Sequence, residues 1–245
     1  MSLNQIVCGN CLEVLPYLPP AKMVFADPPD NLGMKYEGFI DKWYSSGSYL
    51  TWLMDVIRCG ATHADIFWFS HYYRWELPLI GKLYADMGYI WDNWGIRQFI
   101  WHYTFGQQQQ TDFKSCYRPI LRMLRSEAEV YPDAIRVPSA RQLKYHDKRA
   151  DPRGCVPGDV WEFPRVCGTF KERRKWHPNQ HPEALIERIV KFSCKPGDLV
   201  IDMFAGTGTA NRVCKRLGID CIGVELSRFY CDKIIEEQGA KEIKV

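Results

Sequence analysis

The chain has no apolar run long enough to cross a membrane. Its opening, MSLNQIVCGNC, has no basic cluster ahead of an apolar stretch. Neither a membrane span nor an export signal is expected. The ten cysteines are therefore read as thiols in a reducing compartment, not as a disulfide framework. No internal repeat is visible, and the one low-complexity tract, Gln107 to Gln110, is too short for more than a loop. Nothing matches G-x-x-x-x-G-K-[ST], which disfavours a phosphate-binding P-loop. Metal ligands do not make up a set. Cys8-x-x-Cys11 is half a zinc knuckle without its second half, and Cys155, Cys167, His177 and His181 have the right types at the wrong spacing. No Ser-His-Asp arrangement stands out.

What remains describes an ordinary globular protein of 245 residues, 46% hydrophobic and 25% charged. One domain, 1–245, is expected, with room for an insertion. Aromatics are rich at 14%, with nine Trp, which suits either large planar contacts or a bulky core. Net charge is only +3, but it is uneven. From Arg136 to Lys175 there are 11 Lys or Arg against 5 Asp or Glu; the rest has 21 against 24. One basic segment on a slightly acidic body suits a polyanionic partner, or else a solvated loop.

Strand-like and helix-like patterns alternate. Short buried strands are expected at 5–8, 22–26 and 65–70, and helices at 48–59 and 76–87. The second of these would turn Leu77, Ile80, Leu83, Tyr84 and Met87 inward. Residues 97–104 and 117–124 read as strands, with Pro119 arguing for an edge or a bulge. From about 126 to 176 the pattern breaks down. A helix resumes at 181–194, then the strand LVIDMF, a helix at 209–217, a strand at 219–224 and a helix at 227–238. Scattered cysteines such as Cys59, Cys194, Cys214 and Cys221 read as core. This alternation predicts an α/β fold with a parallel sheet covered on both faces.

Two strand ends carry chemistry. In Asp202-Met-Phe-Ala-Gly206-Thr-Gly208-Thr a buried strand runs into closely spaced glycines and then a helix. Glycines there let the backbone turn sharply and approach a ligand. A second strand ends about 20 residues later at Glu225, placed to accept from ribose hydroxyls. The dinucleotide fingerprint itself fails, because Asn211 stands where its third glycine would be. The other strand end is Asp27-Pro28-Pro29-Asp30. Prolines fix φ and cannot donate, so the Asp27 carboxylate and the Pro28 carbonyl can be held as two rigid acceptors. Such a pair suits an exocyclic –NH2 on a planar base, turning its lone pair towards an electrophile.

With both motifs in view, the sequence resembles the S-adenosylmethionine-dependent amino-DNA methyltransferases. Their catalytic motif is D-P-P-Y and their cofactor motif F-x-G-x-G. The order here, D-P-P at 27 and F-A-G-T-G at 204, resembles the permuted group with the catalytic half first. C-G-N-C-L-E-V-L at 8–15 and W-H-P-N-Q-H-P-E-A-L at 176–185 resemble two further landmarks of that group. The resemblance implies a Rossmann-like fold with a mostly parallel seven-stranded sheet and circularly permuted motifs. It implies a flipped-out target base and methyl transfer to adenine N6 or cytosine N4, with D-P-P leaning towards adenine by family habit.

Site residues follow from the same resemblance. Asp27, Pro28, Pro29 and Asp30 would be the catalytic segment. The cofactor would be held by Asn10, Cys11, Asp27, Gln180, Asp202, Phe204, Ala205, Gly206, Thr207, Gly208, Thr209, Glu225 and Leu226, with no metal. Residues 126–176 would be the target-recognition insertion. DNA phosphates would meet Arg141, Lys144, Lys148, Arg149, Arg173, Arg174 and Lys175, and Gln107 to Gln110 could read adenine edges or be a plain loop. The implied partner is double-stranded DNA in the cytoplasm of a bacterial or phage-infected cell. The protein would be a monomer or homodimer, with a restriction endonuclease as an optional companion.

Two departures stand out. Asp30 occupies the position of the family's stacking aromatic, leaving Tyr36, Phe39 or Trp43 to stack on the base. Asn10 replaces an Asp. The first departure keeps open a non-catalytic nucleic-acid-binding subunit. The motif alone also admits an RNA base or protein amide as substrate. A nicotinamide dehydrogenase would leave Asp27-Pro28-Pro29 without a role.

Overall fold

A computed structural model of the chain describes residues 3–86, 94–103 and 110–245. Residues 107–109 of the glutamine tract, together with Met87 and Thr104, lie outside the described residues.

Among the described residues, eleven strands alternate with seven α-helices. In chain order they are β1 (Asn4–Cys8), α1 (Cys11–Val14), β2 (Ala21–Ala26), β3 (Lys35–Tyr36), β4 (Phe39–Ile40), α2 (Ser46–Thr62), β5 (Ala64–Ser70), α3 (Glu76–Asp86), β6 (Trp94–His102), β7 (Tyr117–Arg125), α4 (Ala140–Leu143), β8 (Val160–Glu162), α5 (Glu183–Ser193), β9 (Leu199–Asp202), α6 (Thr209–Leu217), β10 (Asp220–Glu225), α7 (Arg228–Gln238) and β11 (Lys241–Glu242). Nine strands form one sheet in the order β11-β1-β10-β9-β2-β5-β7-β6-β8. The expected seven-stranded sheet is its centre, and the short β11 and β8 extend its two edges. β3 and β4 make a separate antiparallel pair.

Period-two alternation along the strands divides the core. Val24, Phe67 and Ile201 face α2 and α3, burying Leu53, Met54, Leu79 and Leu83. Met23, Phe25, Ile66 and Val200 face α5 and α6, burying Leu185, Ile186, Ile189, Val190 and Val213. The inward face expected for 181–194 is thus the one that packs. α3 is turned differently from expectation: Leu83 is buried as expected, but Leu77 and Tyr84 are exposed, and Leu79 is buried in their place. The buried stripe starts one residue before the helix, at Trp75, and runs at i, i+4, i+8. Trp75 is fixed by its indole N–H, which donates to the Asp30 carbonyl at 2.7 Å.

β7 is not an edge strand. It lies antiparallel between β5 and β6. Its Pro119 carbonyl accepts from the His71 N–H, but the return bond from residue 119 to the His71 carbonyl is the one a proline cannot make. The missing bond falls on the rung just past Ser70, where β5 ends. Residues 126–176 hold only a one-turn 3-10 helix, α4 and β8. Among the described residues no helix is long and apolar enough to cross a membrane.

The sheet's topology locates the site. β2 and β9 are parallel neighbours, and chain order runs outward from them in opposite directions, to β5 on one side and β10 on the other. A crevice opens at the carboxyl ends of strands at such a switch point. Asp27 follows β2, and the glycine loop follows β9.

Candidate active site

The crevice is a cavity of about 580 Å³. Asn10, Cys11, Asp27, Pro28, Pro29, Gln180, Asp202, Phe204, Ala205, Gly206, Thr207, Thr209, Glu225 and Leu226 all line it. Two residues assigned to the site do not: Gly208 and Asp30.

Gly206 takes φ +52°, and a Cβ there would come 3.3 Å from the His177 ring. Its N–H donates to Glu225 Oε2 at 2.8 Å, while the Ser227 N–H donates to Oε1 at 2.9 Å. Each Glu225 oxygen keeps a lone pair for another donor. Burial raises the Glu225 carboxyl above its ordinary range, against the pull of these N–H groups. Gly208 instead starts α6 at φ +68°, where a Cβ would strike Gln238 and crowd Ile234. Its glycine serves the packing of α6 against α7.

Asn211, at the failed fingerprint position, bonds across to β1 through Asn4 and Gln5. The close approach falls on Gly223 of β10, where a Cβ would sit 2.6 Å from Asn211 Oδ1. Asn10 caps α1 by accepting from the Leu12 N–H at 3.1 Å and donating to Glu13 at 3.0 Å. The first is the capping an Asp would also give; the second needs the amide N–H, which an Asp lacks. Gln180 spends its amide on its own loop, accepting from the Arg174 N–H and donating to the Glu172 carbonyl. It shapes the cavity wall rather than offering free polar atoms.

Asp202 ends β9 and accepts from the Phe204 N–H at 3.1 Å. Burial, with Asp27 and Glu225 nearby, pushes its carboxyl up to about 7.

The Asp27-Pro28-Pro29-Asp30 turn is pinned along its backbone. Tyr49 donates its hydroxyl to the Pro29 carbonyl at 2.8 Å, and Trp75 holds the Asp30 carbonyl. Among the described residues nothing donates to the Pro28 carbonyl, which leaves it open as an acceptor. Asp27 Oδ1 accepts from Arg118 Nη2 at 2.6 Å, and Oδ2 faces His181 Nδ1 at 3.1 Å. These two partners outweigh burial and hold the Asp27 carboxyl far below the usual range. Asp30 is turned away from the cavity, and both its oxygens receive Arg118, at 2.8 and 2.9 Å.

Arg118, His181 and Ser70 are the residues that sequence reasoning missed. Ser70 Oγ accepts from Arg118 Nε at 2.7 Å and lies 3.3 Å from His181 Nε2. Arg118 did carry a signal. A guanidinium within the apolar strand YRPILRML must find a carboxylate if it is buried. His181 carried none beyond its place before α5.

Tyr36, Phe39 and Trp43 all line the cavity. Trp43 is packed against Tyr49 and Trp52, with ring centroids 4.8 and 4.7 Å away. Tyr36 lies 5.6 Å from the His177 ring, and burial and the Asp27 charge raise its hydroxyl above the usual range.

The expected phosphate contacts divide into paired and unpaired. Arg141 and Arg149 both bind Asp147, and Arg174 binds Glu237. Arg173 donates to the Gly168 carbonyl, and Lys144 lies over the Tyr145 ring. Lys148 and Lys175 are exposed and form no ion pair among the described residues.

A family model described as DNA methylase, for N6 and N4 methyltransferases, matches residues 21–237. The chain belongs to this family. The methylase is 33% identical over 248 residues to the DNA adenine methyltransferase YhdJ of Escherichia coli K12, covering 93% of this chain and 80% of that protein. It is 31% identical over 241 residues to the type II methyltransferase M.HpaI of Haemophilus parainfluenzae, covering 94% and 72%. Among solved structures, the PvuII cytosine-N4-specific DNA methyltransferase superposes with a TM-score of 0.69 at 14% identity, over 95% of this chain and 86% of that one. The M1.HpyAVI complex with S-adenosylmethionine gives 0.61 at 17% identity, over 95% and 98%. The methylase shares their α/β fold.

Proposed function

We propose that this methylase uses S-adenosylmethionine to methylate the exocyclic amine of a base flipped out of duplex DNA, with adenine N6 as the target. The observation that carries the reading is that Asp27 and the open Pro28 carbonyl share one cavity with Gly206 and Glu225.

The residues present fit that cofactor. Glu225 offers buried acceptor capacity suited to ribose hydroxyls, the space over Gly206 would be filled by a Cβ, and Asp27 places a negative charge in the wall. When bound, the cofactor supplies an electrophilic methyl group on a sulfonium. The chain's own part is to hold the amine. Asp27 and the Pro28 carbonyl would accept its two N–H groups, directing the nitrogen lone pair into the cavity. Asp27, held strongly ionised, acts as acceptor and charge rather than as a lasting proton store.

Adenine is favoured by the name of the E. coli relative and by D-P-P in place of S-P-P. Tyr36 is the proposed stacking ring, and 126–176 the proposed target-recognition and DNA-contact region. Extruding a base costs a few kcal/mol, which stacking and phosphate contacts would offset.

The test incubates the protein with labelled S-adenosylmethionine and sequence-diverse duplex DNA, then digests to nucleosides for mass spectrometry. Label in N6-methyladenine is expected. Label in N4-methylcytosine alone overturns the choice of base. No transfer to DNA by folded, cofactor-binding protein overturns the activity, and RNA or protein acceptors then become the next substrates.

A further inference from the structure

Asp30 is 7% exposed and absent from the cavity wall, so a role in touching the base is not open to it. Its backbone is fixed by Trp75 and its carboxylate is spent on Arg118. Arg118, equally buried, uses its other N–H groups on Ser70 and Asp27. Ser70 meets His181, and His181 returns to Asp27. The result is a closed ring, Asp27–Arg118–Ser70–His181, with Asp30 clamping the arginine from outside.

The geometry points to Asp30 as a positioning residue that acts through Arg118, fixing the plane and direction of the Asp27 carboxylate at the tip of β2. The inference rests on the methyl-transfer reading above.

Three features support this. A guanidinium has a rigid fork, and bidentate pairing to Asp30 leaves Arg118 no freedom to rotate. The two Asp27 oxygens are held by partners from two different parts of the fold, Arg118 of β7 and His181 in the segment before α5, which sets the carboxylate plane. Each oxygen still has a lone pair for an amine N–H.

A buried ion pair could instead serve only stability, and the test separates the two roles. kcat is measured from pH 5 to 9 at saturating DNA and cofactor for wild type, Asp30→Asn, Arg118→Met and Arg118→Lys. Cofactor affinity is titrated calorimetrically alongside. The Asp27 carboxyl is also followed by 13C NMR in cofactor-free protein. Arg118→Met should lower kcat about 100-fold, leave cofactor Kd within about threefold, and raise the Asp27 midpoint by at least about one pH unit. Arg118→Lys keeps the charge and so guards against misfolding. Its Asp27 midpoint should stay low while kcat falls about tenfold, because one ammonium cannot make all four contacts. Asp30→Asn should lower kcat about tenfold with cofactor Kd unchanged. Folded Asp30→Asn and Arg118→Lys variants with wild-type kcat would overturn the inference, as would an unchanged 13C midpoint in Arg118→Met. An inactive wild type whose 13C midpoint still responds to Arg118→Met would count against the methyl-transfer reading and leave the clamp standing.

Discussion

Glu225 grips the backbone of Gly206: its Oε2 accepts the glycine N–H at 2.8 Å, joining the tips of β9 and β10 beneath the cavity. The carboxylate therefore shapes the glycine loop as well as facing the cavity. Glu225→Gln keeps an acceptor but removes the charge and puts a donor against one of two backbone N–H groups. Cofactor Kd should rise about tenfold or more, with melting temperature little changed. Gly206→Ala should weaken binding similarly, because φ +52° costs an L-residue roughly 1–2 kcal/mol and the methyl group meets His177. Calorimetric titration of S-adenosylmethionine checks both, and unaltered Kd values would remove this loop from the cofactor site.

Asp27→Ala should abolish methyl transfer, by about 1000-fold or more, while cofactor binding persists. The fold should tolerate the change because Arg118 keeps its bidentate partner Asp30. Parallel measurement of transfer and cofactor affinity checks this. Loss of both together would indicate misfolding, and retained transfer would show that the amine is held elsewhere.

How much of this was legible depended on whether the cause was local. The strand–glycine–helix passage at 199–217 and the rigid Asp27-Pro28-Pro29 turn are written in adjacent residues, and the family resemblance implied that their strand tips would meet. The inward face of α5 was equally plain. α3 was misjudged because the residue that sets its rotation, Trp75, precedes the helix and is fixed by a carbonyl 45 residues away. The Asp30–Arg118 clamp spans 88 residues, and no spacing rule relates a turn to a later antiparallel strand. The role of Gly208 was hidden for the same reason: α7, against which it packs, comes later in the chain.

Asp202 should make the protein's stability fall as pH rises. Its folded carboxyl is pushed up to about 7 from an ordinary 3.8. A raised carboxyl favours the folded state fully below the lower value, and that advantage is lost as pH climbs through the higher one. Between about pH 4 and pH 7 its contribution declines by up to roughly 1.4 kcal/mol per pH unit. Asp202→Asn retains an acceptor for Phe204 and cannot ionise. It should melt higher than wild type at pH 8 and similarly at pH 4. Equal melting curves at both pH values would mean that Asp202 ionises freely in the folded protein.

Tyr36→Ala should raise KM for DNA and lower kcat together. Stacking on an aromatic is worth about 1–3 kcal/mol per base, so kcat/KM should fall by roughly 5- to 150-fold, with cofactor Kd within about twofold. Tyr36→Phe should restore most of it. If Tyr36→Ala matches wild type while Phe39→Ala does not, the ring that receives the base is on β4 instead.

The basic segment should contribute unequally to DNA binding. A lysine that meets phosphate with no prior partner releases counterions outright, whereas an arginine already paired must first give up its carboxylate. Lys148 and Lys175 are exposed without an ion pair among the described residues, while Arg141 and Arg149 share Asp147. Lys175→Ala and Lys148→Ala should each lower the slope of log Kd against log salt by about 1. Arg149→Ala should change it less, and Asp147→Asn should tighten binding by freeing both arginines. Fluorescence anisotropy from 50 to 200 mM salt separates these cases. A larger loss from Arg149 than from Lys175 would show that the Asp147 pairs break on binding and that DNA lies across α4, not beside the 173–175 turn.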